Sequence, residues 1–66
     1  MEDDLRNARI RRGLTLEQAA LRVGVRAELL REWEEGVSEP LGFQLRRIAE
    51  AYGCSPDELL GLPEQR

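Results

Sequence analysis

Histidine and lysine are absent from this chain, and cysteine occurs once, as Cys54. One thiol cannot close an internal disulfide, and without histidine a zinc site lacks ligands. The side chain that most often moves protons near neutral pH is missing too. Cys54 has no evident activating base. Carboxylates that neighbour one another in sequence, such as Glu34 and Glu35, point to different sides of a helix. No catalytic constellation can be read from these residues, so a protein that is not an enzyme and holds no cofactor or metal is expected. Cys54 follows Ala49, Ala51 and Tyr52 in an apolar stretch and fits the role of a small buried hydrophobe. A long apolar run is also lacking, which excludes a membrane-spanning helix. Met1 is followed by Glu2, Asp3 and Asp4, which a secretory signal does not tolerate, so a cytoplasmic protein is expected.

What is present is a folded, soluble composition, with 41% hydrophobic and 35% charged residues. Sixty-six residues make one domain, expected over 1–62, with a short flexible tail at 63–66. So small a core supplies little net stability, and tight helix packing or a partner subunit must help. All ten basic residues are arginine, yet the net charge is −3. That balance excludes a surface that is basic all round and leaves room for one local basic patch.

Helix signals recur along the chain. Glu2, Asp3 and Asp4 open a first helix that runs to about Arg12, with Arg9, Arg11 and Arg12 at its C-terminal end, as the macrodipole favours. Gly13 closes it, and Leu5 and Ala8 face inward. Thr15 caps a second helix in a capping box with Gln18; Ala19, Ala20 and Val23 form its inner face and Gly24 ends it. A third helix is expected from about Arg26 to Glu35, with Leu30 and Trp33 inside, and Gly36 stops it. Pro40 keeps the stretch from Val37 onward out of a helix. A fourth helix runs from about Gly42 to Tyr52 on the stripe Leu45, Ile48, Ala49 and Tyr52, and Gly53 follows. Ser55, Pro56 and Glu58 announce a short fifth helix ending near Gly61. Trp33, Tyr52 and Phe43 are all expected in the core.

Two short helices meeting at Gly24-Val25, with alanines at their crossing, satisfy the physical requirements of a helix-turn-helix between Thr15 and Gly36. The ordered set Arg9, Gly13-Leu14-Thr15, Glu17, Ala20, Gly24-Val25, Leu30, Trp33-Glu34, Gly36, Pro40, Ala49 and Asp57-Glu58-Leu59-Leu60 covers nearly the whole chain. It resembles the Cro-type (XRE) helix-turn-helix family. The resemblance implies an all-α, five-helix lambda-repressor-like DNA-binding domain with its third helix in the major groove. It also implies a structural ion pair between Arg9 and Glu34.

By the same resemblance, the base-contact candidates are Ala27, Glu28, Arg31 and Glu32, and the phosphate-contact candidates are Arg12, Arg22, Arg26 and Ser38. These depart from the family's usual chemistry. Leu16 stands where a polar residue, often Gln, usually follows the N-cap of the second helix, and Arg26 replaces a Ser or Thr cap. From Arg26 to Glu35 the chain carries two arginines and four glutamates. Glutamate can still read DNA by accepting from cytosine N4, and alanine can touch a thymine methyl.

Two functions therefore stand side by side. The first is a sequence-specific transcriptional regulator that binds double-stranded DNA as a homodimer, with Leu59, Leu60 and Leu62 as dimer-interface candidates. The second is the same fold turned to protein binding, through the acidic third helix and the apolar residues Leu16 and Leu29. Ile10 and Leu21 are also expected to be exposed and out of place in the family pattern.

Overall fold

Helices form where the chain satisfies both their ends and their inner stripe. The computed structural model describes the backbone of residues 2–59 and the side chains of 4–56 and of Leu59. Four helices of at least two turns follow in order: α1, Glu2–Arg11; α2, Leu16–Val23; α3, Ala27–Glu35; α4, Gly42–Tyr52. A single helical turn, α5, spans Pro56–Leu59 at the end of the described residues. Of the fifth helix expected to run to Gly61, only this turn falls within the described residues. No strand occurs among the described residues, so the fold is all-helical. Leu60, Leu62 and the expected tail at 63–66 lie outside them.

The start of α2 is closed reciprocally. The Gln18 backbone N–H donates to Thr15 Oγ1 at 3.1 Å, and the Thr15 N–H donates to Gln18 Oε1 at 2.9 Å. Its end is closed by Gly24, whose φ of +89° lies in the left-handed region that a Cβ disfavours. That residue lets the chain reverse in the short link 24–26 and enter α3. Arg26 sits at the N-cap of α3 in extended conformation and makes no side-chain cap bond. The open start of α3 thus agrees with the loss of a Ser or Thr there. At α4, Gln44 Oε1 accepts from the Leu41 N–H at 2.8 Å. A leucine has no oxygen with which to return the bond, so only half of a capping box forms.

The core gathers one stripe from each helix. Leu5 and Ala8 come from α1, Ala19, Ala20 and Val23 from α2, Leu30 and Trp33 from α3, Ile48, Ala49 and Tyr52 from α4, and Leu59 from α5. The alanines at 19 and 20 let α2 lie close to both α3 and α4, while α1 packs on α3 and on the α5 turn. Trp33 and Tyr52 are buried as expected, but Phe43 is 57% exposed. Phe43 precedes Leu45 by two residues and Ile48 by five, spacings that turn it to the far side of α4. Leu59, expected on a dimer surface, has no exposed area and packs in the chain's own core. Cys54 is half-buried against that core.

Candidate nucleic-acid interface

The outer face of α3 follows from its inner one. Leu30, Trp33 and Glu34 are buried, which turns Glu28, Glu32 and Glu35 outward at spacings of four and three residues. The solvent-facing stripe is therefore three glutamates, with Arg31, three residues from Glu28 and four from Glu35, along its edge. Arg31 is exposed on the flank of this stripe, beside a cleft it lines together with Arg6, Arg9, Leu16, Glu34 and Glu35. Ala27, expected among the base-facing residues, is half-buried and packed against the core. The spacing Ala27, Leu30, Glu34 already places it on the inner stripe. Of the four base-facing candidates, Glu28, Glu32 and Arg31 are presented to solvent and Ala27 is turned inward.

One buried ion pair fixes this face to the rest of the molecule. Arg9 Nε donates to Glu34 Oε2 at 2.6 Å and Nη2 donates to Oε1 at 3.1 Å, a two-pronged contact between α1 and α3. Nη1 of the same guanidinium donates to the Leu14 carbonyl at 3.0 Å, so the loop before α2 is tied in as well. The side chains are 14% and 6% exposed. The hydrogen bonds that Arg9 donates to Glu34 raise the guanidinium pKa further above its usual range, against the opposing effect of burial.

The phosphate candidates divide. Arg22 and Arg26 are exposed at the end of α2 and the start of α3. Arg12 is exposed, but its guanidinium lies over Gly53, where a Cβ would stand 2.5 Å from Nη2. It rests against the carbonyl end of α4, the electronegative end of that helix. Arg47 does the same over Gly24 at the end of α2, 3.4 Å from where a Cβ would be. Ser38 is half-buried, and its hydroxyl is buried with no hydrogen-bond partner, so it is turned inward rather than offered to a ligand.

The sequence did not single out Arg6 or Arg47. The spacing of Arg6 to Arg9 on α1 was the available signal for the first, since Arg9 faces α3. The second is visible only once α2 and α4 are packed. The apolar edge also differs from expectation. Leu16 and Leu29 are half-buried and pack on the core, whereas Ile10, Leu21, Val37, Leu41 and Phe43 are the large apolar side chains exposed among the described residues. Leu16 belongs with Ala19, Ala20 and Val23 on one helical stripe, which accounts for its burial.

Among the described residues no cluster of three or more His, Cys, Asp or Glu side chains could hold a metal ion. No helix there is long and apolar enough to cross a membrane. Comparison with protein-family models gives a match to the model described as helix-turn-helix, over residues 5–59. No curated protein and no solved structure matches the chain.

Proposed function

We propose, from the fact that this chain belongs to the Cro/XRE-type helix-turn-helix family, that it is a DNA-binding transcriptional regulator, working as a homodimer with α3 in the major groove. The observation that carries this reading is the way α3 is presented. The Arg9–Glu34 pair locks α3 to α1, the link at Gly24 sets it across α2, and its outer stripe is left to solvent. A stripe of carboxylates has one direct-readout chemistry, acceptance of hydrogen bonds from cytosine N4 in the groove. Repulsion from the phosphates must be offset at the flanks. Arg6 and Arg31 stand there beside the first turn of α2, and Arg22 and Arg26 stand near the link. Duplexes selected from a random pool should be enriched in C·G pairs. Affinity should fall steeply with salt, as counterion release demands. A pool that shows no enrichment, with binding indifferent to salt, defeats this reading.

One observation favours a second reading, a helix-turn-helix turned to protein binding. The outer stripe of α3 holds three carboxylates, Glu28, Glu32 and Glu35, against one arginine, Arg31. Such a face repels a polyanion and attracts a basic partner. Fold does not fix function, so the site must decide. Reversal of Glu28 and Glu32 to arginine separates the two readings. It raises or alters DNA affinity under the first, and abolishes partner binding under the second.

A further inference from the structure

Arg22 and Arg47 come from different helices and line one cleft. Arg22, Val23 and Gly24, at the end of α2, form one wall, and Arg47, Glu50 and Ala51 of α4 form the other. Spacings of three and four residues set those three on one side of α4. The cleft measures about 410 Å³, within the range of small-ligand sites, and it opens to solvent. No described residue of α3 lines it, so it is separate from the glutamate stripe. The charges around it are uncompensated within the chain. Among the described residues, Arg22, Arg47 and Glu50 make no ion pair and no side-chain hydrogen bond. Arg47 is nonetheless placed, because its guanidinium rests over the bare turn at Gly24, 3.4 Å from where a Cβ would stand. Two like charges brought to one cleft repel each other, and an anion between them relieves that repulsion.

The lining selects among anions. A guanidinium is a planar fork that engages two oxygens at once, so the two oxygens of a carboxylate satisfy a single fork. A phosphate monoester offers three oxygens and nearly two negative charges at neutral pH, which suits two forks that arrive from different helices. Glu50 borders the same space and repels a bare anion. It favours a ligand that also carries N–H or O–H donors, because an ionised carboxylate only accepts. We propose that this cleft binds a small phosphate monoester with hydroxyl or amino donors, of the sugar-phosphate or nucleotide class. Its phosphate lies between Arg22 and Arg47 and its donors turn toward Glu50. The site does not depend on whether α3 reads DNA.

Calorimetric titration of the full chain with adenosine monophosphate tests it, with circular dichroism to show that each variant keeps its helices. The native chain should bind with a Kd below ~1 mM. The side-chain Nε–H signals of Arg22 and Arg47 should shift in nitrogen–proton correlation spectra. Adenosine, which lacks the phosphate, should not bind, and inorganic phosphate should bind more weakly than the nucleotide. Arg22→Gln and Arg47→Gln should each weaken the nucleotide by at least ~10-fold. Arg46→Gln, exposed next to the cleft but outside its lining, should leave binding unchanged. Glu50→Ala should narrow the gap between the two ligands, by weakening the nucleotide and tightening inorganic phosphate. A titration with neither heat nor signal shift up to about 10 mM nucleotide overturns the site. Equal losses from Arg46→Gln and Arg47→Gln mean adsorption to positive surface charge and overturn it too. Inorganic phosphate as tight as the nucleotide overturns the ligand class. A short duplex that shifts the same two signals and excludes the nucleotide assigns the cleft to a DNA backbone and overturns the small-ligand proposal.

Discussion

Arg9 and Glu34 join α1 to α3 by a two-pronged ion pair, and the same guanidinium reaches the Leu14 carbonyl. Both partners are largely withdrawn from water, so removing one leaves the other charge stranded. Glu34→Ala should cost on the order of 3–5 kcal/mol. That is comparable with the whole stability of a domain of this size. Replacing both partners with apolar residues, as in Arg9→Met with Glu34→Leu, should cost less than Glu34→Ala alone. Urea unfolding of the three variants reads the difference. If the double change is the worst of the set, the pair contributes through more than its buried charges.

Gly24 tests the link between α2 and α3. Its φ of +89° strains any residue with a Cβ, although the space over it holds only the end of Arg47. Gly24→Ala should therefore destabilise by about 1 kcal/mol through the backbone. Thermal unfolding of that variant against Gly42→Ala makes the comparison internal. Gly42 has ordinary backbone angles and open space around it, so alanine there should be neutral or stabilising.

Tyr52 carries a pH dependence whose sign can be fixed. Burial, with the nearby Glu34 charge adding to it, raises the phenol well above its ordinary value near 10. The unfolded chain then releases this proton at a pH where the folded chain still holds it. Stability should be full below about pH 10 and fall as the pH climbs beyond it. Tyr52→Phe removes the titrating group and should flatten that alkaline decline. The hydroxyl has no hydrogen-bond partner in the fold, so its loss at neutral pH should change stability by under about 1 kcal/mol, in either direction. Melting temperatures from pH 8 to 11 for both chains check this. A larger loss at neutral pH would mean that the hydroxyl has a partner after all.

Glu28 and Glu32 carry the test of the recognition face. Changing either to glutamine keeps its size and turns an acceptor into a group that also donates. Under groove binding, the preferred pair opposite that residue should move from C·G towards A·T, because glutamine suits adenine. Selection with each variant shows whether the preference moves at one position only. An unchanged preference for both variants would remove these carboxylates from base reading.

The helix ends were legible because each is written in local chemistry. Thr15 with Gln18, and the glycines at 24, 36 and 53, close their helices by bonds to residues three to five positions away. The inner stripes were mostly legible for the same reason, since Leu30 with Trp33 and Ile48 with Tyr52 follow one helical period. Family position and helical period part company at two residues: position puts Ala27 and Leu16 on the ligand face, whereas their own spacings put them on inner stripes. The aromatic ring of Phe43 suggests a core residue, whereas its spacing from Leu45 puts it outside. Leu59 could not be placed from sequence, because its burial depends on how the α5 turn folds back on α1 and α4. The roles of Arg12 and Arg47 were equally hidden, since each meets its glycine only after distant helices have packed.

Those two arginines bear on how the sequence can drift. A guanidinium is flat and can lie directly on a glycine, and it can do so only while no side chain stands beneath it. Positions 12 and 53 therefore change as a couple, whereas the wider gap under Arg47 lets position 24 take a Cβ without touching position 47. In a library randomised at both members of a couple, survivors that acquire a side chain over the turn should have shortened the arginine, and survivors that keep the long arm should keep the bare turn. An alphabet of substitutions tried one position at a time would score both as intolerant and miss the combinations that work.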